Sequence, residues 1–216
     1  MKSTLSFIGR ESGFSENNNS AYVEIGNDFW LIDCGCTVFQ KLRQNFDFNK
    51  YDKINVIITH LHNDHAGSLS QFILFIWFIY HKKVNVYSSC KKIGEYLDIT
   101  GAIKDIYTLS KSALNLEFIE TTHVDNLDCY GFKFKVGDCV VVYTGDTRDL
   151  SSFLPYLDDC NEFYVDTSRY GDVHLKFEEI FETLKEIKLK NTKVFLMHID
   201  DMEYIKKINN GEFFID

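Results

Sequence analysis

The chain contains 216 residues, of which 45% are hydrophobic and 15% aromatic, so it holds enough apolar material for a core of generous size. With 12 glycines and one proline, this composition excludes disordered, collagen-like and linker-like proteins, and we expect a single domain over residues 1–216. Lys and Arg total 23 against 32 for Asp and Glu, and the net charge of -9 argues against a dedicated binder of long nucleic acid.

Ten β-rich stretches and six stretches with helical spacing are predicted along the chain. The strands are residues 5–8, 21–25, 29–32, 53–59, 84–87, 116–119, 132–136, 140–143, 162–165 and 193–196. The helices are residues 38–46, 67–80, 91–97, 151–157, 177–187 and 202–208. Strands cluster first and then alternate with helices, which predicts an α/β (α+β) fold with two packed sheets and helices outside, a four-layer αββα sandwich.

The cysteines and the apolar segments bear on location and assembly. The N-terminal segment reaches Arg10 and Glu11 too soon for a signal peptide, so we expect the six cysteines to lie in a reducing compartment, the cytoplasm. The longest apolar run, FILFIWFIY at residues 72–80, is well short of the ~20 residues of a membrane-spanning helix, and no membrane association is expected. Such a run exceeds what one buried helix face requires, which predicts a homodimer contact on this helix.

A dense group of metal-ligand side chains follows the predicted strand at residues 53–59. His60, His62, Asp64 and His65 lie within six residues. In extended geometry, residues two apart point to one side, so His60 and His62 can bind one ion, while the turn at Asn63 directs Asp64 and His65 towards a neighbouring point. This spacing favours two adjacent metals, and imidazole with carboxylate suits Zn²⁺, with Mn²⁺ or Fe as competitors.

Three further candidate ligands follow other predicted strands. His123 comes after residues 116–119, Asp146 after 140–143, and His198 after 193–196. Functional groups are often presented in the loops at strand ends, although a histidine there can also be only a capping or surface group.

In this order, His60-x-His62-x-Asp64-His65, His123, Gly145-Asp146-Thr147 and His198 resemble the metallo-β-lactamase superfamily of binuclear hydrolases, over nearly the whole chain. The resemblance implies a first metal held by His60, His62 and His123, a second held by Asp64, His65 and His198, and a bridging Asp146. It also implies that Asp33, in the segment LIDCG, supports the ligand loop without binding metal. β-Lactamases proper often use cysteine at the bridging position, so the aspartate here weighs against antibiotic hydrolysis.

The reaction expected of such a centre is hydrolysis by a metal-bridging hydroxide, because a water shared by two divalent ions loses a proton near neutral pH. We expect Asp64 to orient that hydroxide. The segment from Tyr170 to Ile199 is similar to the ribonuclease Z-like phosphodiesterase branch of the superfamily, in which a histidine ahead of a helix contacts the scissile phosphate and pairs with an acid. The resemblance gives these roles to His174 and Asp166. The alternative for His174 is a helix-capping or exposed residue.

The acidic chain lacks a basic insertion that could grip tRNA, so we expect a small phosphodiester such as a cyclic nucleotide as substrate. Predicted substrate contacts are Ser168 and Arg169, with Asn19 and Ser20 in the polar segment 12–20. One alternative is hydrolysis of a carboxylic ester, lactone or thioester at the same centre. Others are a diiron domain, which usually has glutamate where this chain has His62, and a catalytically silent metal-binding module, which would tend to lose ligands.

Overall fold

The computed structural model describes residues 3–215, and these divide into two compact units. The N-terminal unit is Leu5–Ala113, and the C-terminal unit comprises residues 114–215 with residues 3–4. The predicted single domain is not tested by this division and stays a prediction. No helix within residues 3–215 is long and apolar enough to cross a bilayer.

The N-terminal unit is built on a six-stranded sheet in the order β1-β2-β3-β4-β5-β6. Its strands are β1 (Ser6–Gly9), β2 (Ser20–Ile25), β3 (Asp28–Ile32), β4 (Lys53–Ile57), β5 (Val84–Tyr87) and β6 (Tyr107–Ser110). The first three pair antiparallel and β3 to β6 pair parallel. Parallel neighbours need crossover connections, and these contain helices α1 (Val38–Asn45), α2 (Asn63–Ala66), α3 (Leu69–Tyr80) and α4 (Ile93–Ile99).

The C-terminal unit has a five-stranded sheet in the order β11-β10-β9-β8-β7. Its strands are β7 (Leu116–Glu120), β8 (Tyr130–Val136), β9 (Cys139–Tyr143), β10 (Glu162–Asp166) and β11 (Lys193–Met197). The strands β7 to β9 pair antiparallel and β9 to β11 pair parallel. The helices are α5 (Phe177–Leu189) and α6 (Met202–Asn209). The carboxyl ends of β9, β10 and β11 therefore lie at one edge, where open sheets commonly bind ligands.

Each unit has an aromatic-rich core. In the N-terminal unit the Phe48 ring packs edge-on against Phe29 and Phe72, with ring centroids 5.3 and 5.5 Å apart, and all three residues are fully buried. In the C-terminal unit, α5 buries Phe177 and Leu184 in a cluster with residues of the sheet. Packed side chains of this kind hold the strand ends, and thus the groups that follow them, in fixed positions.

The predicted mixed α/β class with two sheets and flanking helices is confirmed, and the differences concern short elements. The helix expected at residues 151–157 is wrong, because the chain forms only a 3-10 helix at Leu154–Tyr156 with proline in its first turn. β6 was not predicted, since it is a four-residue edge strand with exposed Thr108 and Leu109. The helix expected from residue 67 begins at Leu69 and is preceded by α2.

Candidate metal centre

The ligand-rich segment of the N-terminal unit follows β4 and turns into α2. The chain stays extended past the strand, where the Ile58 amide donates to the Tyr87 carbonyl at 2.9 Å, and His62 is the N-cap of α2. The His60 Nε2 and His62 Nδ1 atoms lie 3.0 Å apart, and the His65 Nε2 atom lies 3.2 Å from Asp64 Oδ2. The structure therefore brings the side chains of the predicted motif together in two neighbouring pairs.

Asp33 lies beneath this segment and fixes one of its imidazoles. Its fully buried carboxylate accepts bonds from the Thr59 amide at 2.8 Å, the Thr59 hydroxyl at 2.9 Å and His65 Nδ1 at 2.8 Å. Burial raises the pKa of Asp33, and the charge and hydrogen bond of His65 offset this only in part. With Nδ1 occupied, the Nε2 atom of His65 is the nitrogen available to a metal, which is the supporting role expected of such an aspartate.

The backbone from Asp33 to Gly35 packs closely against the segment that contains Asp64 and His65. Asp33 itself has a φ of 59°, a left-handed conformation that aspartate tolerates better than most residues. The next turn packs on α2, since the Cys34 amide donates to the His65 carbonyl at 2.7 Å. Gly35 lies so close that a Cβ atom there would come within 1.9 Å of the Asp64 carbonyl oxygen. A side chain at this position would push the ligand segment away.

The C-terminal unit gathers three histidines around one carboxylate oxygen. His198 Nε2, His123 Nε2 and His174 Nδ1 lie 3.4, 3.7 and 3.9 Å from Asp146 Oδ2. Asp146, His123 and His198 are buried. The His123 Nδ1 atom donates to the Val173 carbonyl at 2.7 Å, which leaves its Nε2 directed to the cluster. His198 has a φ of 54°, a conformation that costs a non-glycine residue on the order of 1–3 kcal/mol and is found at functional sites.

Asp166 and His174 form a pair at the end of β10. Asp166 is fully buried, and its Oδ2 atom accepts bonds from His174 Nδ1 at 2.9 Å and from the Thr147 amide at 3.0 Å. Burial raises the pKa of Asp166, but the charge and hydrogen bond of His174 lower it by a larger amount, so the net shift of this pKa is downward. Burial lowers the pKa of His174, but Asp166 more than offsets this and the net shift is upward. Both shifts favour a charged pair.

The His174 side chain is 22% exposed, whereas the carboxylate that orients it is fully buried. The segment that carries it is closed at its base by bonds between the Ser168 amide and the Leu175 carbonyl, at 2.9 Å, and between the Phe177 amide and the Ser168 carbonyl, at 2.8 Å. His174 is thus neither a helix cap nor a surface residue. With Nδ1 bound to Asp166, its Nε2 atom is the one that can reach a ligand.

The predicted substrate contacts have structural partners. The Ser168 hydroxyl donates to Asp200 and accepts from the Gly171 amide at 2.9 Å. The Arg169 guanidinium lies 2.6 Å from the Asp201 carboxylate, with its side chain partly exposed. In both cases the partner is a carboxylate that follows His198 in the chain, so these residues brace the loop after β11. Their contact with substrate stays a prediction.

Ser20 is the first residue of β2 and Asn19 directly precedes it; both are buried, with exposed fractions of 0% and 1%. The Ser20 hydroxyl donates to the Asp33 carbonyl at 2.8 Å. This bond holds the backbone of Asp33. The contact of Asn19 and Ser20 with substrate stays a prediction. Sequence reasoning also missed Thr59, although it stands directly before the histidine motif.

Both units carry side chains of the kind that bind a divalent transition metal. In the N-terminal unit the donor atoms lie close in two pairs, His60 with His62 and Asp64 with His65, and in the C-terminal unit imidazole nitrogens surround the Asp146 carboxylate. Imidazole with carboxylate suits Zn²⁺, Mn²⁺ and Fe. Within the C-terminal unit, Asp146, Asp166, His174 and His198 each offer one atom within 4.8 Å of the others. The chain therefore carries residue clusters that can bind divalent metal.

The sequence is similar to those of several known proteins. A family model described as anti-Pycsar protein Apyc1 matches residues 3–97. A relative named probable metallo-hydrolase YhfI, from Bacillus subtilis, is 26% identical and aligns over 98% of this chain and 95% of its own. An anti-Pycsar protein Apyc1 from Paenibacillus harenae is 27% identical, over 91% of this chain and 90% of its own.

Two solved structures define the fold. The crystal structure of the metallo-β-lactamase fold protein YhfI from Bacillus subtilis matches with a TM-score of 0.79 at 20% identity, over 97% of this chain and 92% of that one. The short form of human tRNase Z matches with a TM-score of 0.72 at 12% identity, over 92% and 93%. The chain has the metallo-β-lactamase fold. The resemblance stated from the sequence is thereby confirmed at the level of the fold.

Proposed function

We propose that the protein is a binuclear metal-dependent hydrolase that cleaves a small phosphodiester, such as a cyclic nucleotide. The observation that carries this proposal is the Asp166–His174 pair, in which a buried carboxylate holds a partly exposed imidazole 2.9 Å away. The same imidazole lies beside Asp146, an expected metal ligand. A proton donor fixed next to a metal centre suits the departure of an alkoxide, which a lactone or thioester needs less.

In this proposal His60, His62 and His123 would hold one metal, Asp64, His65 and His198 would hold the other, and Asp146 would be the ligand shared by both. Zinc is the preferred metal, with manganese and iron as alternatives, because histidine and carboxylate are its usual ligands. When bound there, two such ions would supply a hydroxide near neutral pH and would stabilise the charge on the attacked phosphoryl group. The convergence of donor atoms within each unit supports the assignment.

The remaining roles fall to this chain's own side chains. Asp33 orients His65 through Nδ1, and Asp166 orients His174 in the same way. His174 then presents Nε2 to the phosphate, where it donates a proton to the leaving oxygen or a hydrogen bond to a non-bridging one. Asp64 orients the attacking water through its carboxylate. Ser168 and Arg169 shape the loop beside His174 and are proposed to contact the substrate.

A small substrate is favoured over a long nucleic acid. The chain has a net charge of -9, which repels a polyanion on average, whereas a small anion can be held by the local positive charge of a metal pair. The likeness to tRNase Z supports chemistry at phosphorus, but not the same substrate. A cyclic nucleotide is a small anion with a single negative charge, and it contains a phosphodiester, so it suits both the charge of the chain and chemistry at phosphorus.

A second copy of the chain is the proposed partner. On α3, Phe72, Ile73 and Ile76 are buried, but Phe78 and Ile79 near its C-terminal end are 60% and 59% exposed. Large apolar side chains adjacent to each other on a helix surface favour a protein contact. Light scattering at micromolar concentration tests this, and a monomer would contradict it.

The function is tested with a panel of cyclic nucleotides, bis-p-nitrophenyl phosphate, lactones and thioesters, assayed with zinc or manganese. We expect turnover of the phosphodiesters, its loss with a chelator, and a strong rate loss in His174→Ala with metal content retained. His81→Asn is the matched control, because His81 ends α3 in a left-handed conformation that asparagine also adopts. Turnover of lactones or thioesters alone would contradict the proposal.

A further inference from the structure

The loop between β1 and β2 places an exposed aromatic residue next to an expected metal ligand. Gly13 lies against Asp64, since a Cβ atom built on Gly13 would stand 3.0 Å from Asp64 Oδ2 and 3.1 Å from its Cγ. The next residue, Phe14, is fully exposed. Consecutive Cα atoms are about 3.8 Å apart, so the Phe14 ring projects from a backbone that nearly touches the ligand carboxylate.

This loop is braced from within the N-terminal unit. The Glu11 amide donates to the Asn17 carbonyl at 2.9 Å and closes the loop at its base. Asn18, which is buried, donates from Nδ2 to the Gly13 carbonyl at 3.4 Å and accepts the Thr37 amide at Oδ1 at 3.1 Å. The backbone before Phe14 is thus anchored on both sides. The ring is therefore attached to a backbone that hydrogen bonds hold in place.

We propose that Phe14 is the stacking surface for the base of a nucleotide substrate. The inference rests on the proposed phosphodiesterase function and adds the residue that binds the non-reacting part of the substrate. A nucleobase is a flat π-system, and aromatic side chains bind such faces with little regard to base identity. A ring carried by this braced loop, on the residue that follows Gly13, would hold the base while the phosphate lies at the metals. The contact therefore predicts tolerance of both purine and pyrimidine bases.

The test compares Phe14→Ala with wild type on three substrates. These are adenosine and uridine 3′,5′-cyclic monophosphates and the base-free methyl riboside 3′,5′-cyclic phosphate. We expect KM for both nucleotides to rise about tenfold with kcat nearly unchanged, because stacking binds ground and transition states alike. KM for the base-free substrate should not change. Phe14→Trp should keep wild-type behaviour, and Leu189→Ala, at another exposed apolar residue, should have no effect.

Calorimetry of adenosine 5′-monophosphate binding gives a readout that does not need turnover, and we expect Phe14→Ala to weaken Kd about tenfold. If wild type cleaves no phosphodiester, the proposed function is wrong. In that case an unchanged Kd of Phe14→Ala for adenosine 5′-monophosphate would overturn the stacking proposal as well. Cleavage by wild type with unchanged KM in Phe14→Ala overturns stacking alone. An equal loss on the base-free substrate, or a change of oligomeric state in light scattering, would also overturn it.

Discussion

Asp166→Asn is the change that most sharply probes the proton-donating pair. It keeps the size of a fully buried side chain but removes the negative charge that faces His174 Nδ1 at 2.9 Å. A hydrogen bond to a charged group contributes about 1.5–3 kcal/mol, so kcat should fall about 10- to 150-fold if the transition state depends on this orientation. His174→Ala removes the donor itself and should cost about 10²–10⁴-fold.

The assay measures kcat with a cyclic nucleotide and with bis-p-nitrophenyl phosphate, and metal content on the same samples. The loss in His174→Ala should be smaller with bis-p-nitrophenyl phosphate, because p-nitrophenolate is a weak base that leaves with little help from an acid. Asp166→Asn added to His174→Ala should change kcat by less than about threefold, since the two residues act as one unit.

Two results would refute this reasoning. A full 10- to 150-fold loss from Asp166→Asn in the His174→Ala background would mean that the carboxylate acts independently of His174. Loss of metal in Asp166→Asn would mean that it acts through His198, whose Nδ1 atom lies 3.5 Å from Asp166 Oδ1.

Three further changes test the support of the site and the predicted homodimer. Asp33→Asn removes the charge that orients its partner imidazole and should weaken zinc binding about 10- to 100-fold in a chelator competition, and unchanged affinity would contradict the supporting role. Gly35→Ala would place a Cβ atom 1.9 Å from the Asp64 carbonyl oxygen, so the free energy of unfolding should fall by about 1–3 kcal/mol. Gly94→Ala in α4 is its control, because its Cβ atom would meet only the Leu109 side chain at an ordinary 3.7 Å. An equal loss in both variants would contradict the steric argument. Phe78→Glu should convert the predicted homodimer to a monomer in light scattering, and a mass equal to that of wild type would contradict a contact at this residue.

Much of the fold was accessible from the sequence because buried parallel strands have a strong local pattern. The strand at residues 84–87 was predicted with its observed bounds, and β4 and β11 differ from prediction by only two residues and one. Ligand candidates were recognisable because they directly follow such strands. His198 and Asp146 occupy those places after β11 and β9, and the structure brings their side chains to within 3.4 Å of each other.

The features that the sequence did not reveal depend on contacts between distant residues. Burial of Ser20 follows from its pairing with Gly9 in the sheet and from its bond to the Asp33 carbonyl, which a polar segment does not indicate. The four-residue helix α2 is too short to have a periodic pattern. The closeness of Gly13 to the Asp64 carboxylate links residues 51 positions apart and has no local signal.

The central claim is that the chain holds a pair of divalent ions, and metal content measures it most directly. Protein loaded with zinc and dialysed should retain close to two equivalents by plasma mass spectrometry. Asp146→Ala, which removes the carboxylate oxygen that faces three imidazoles, should lose metal relative to wild type. Retention of less than one equivalent by the wild-type protein would contradict the account.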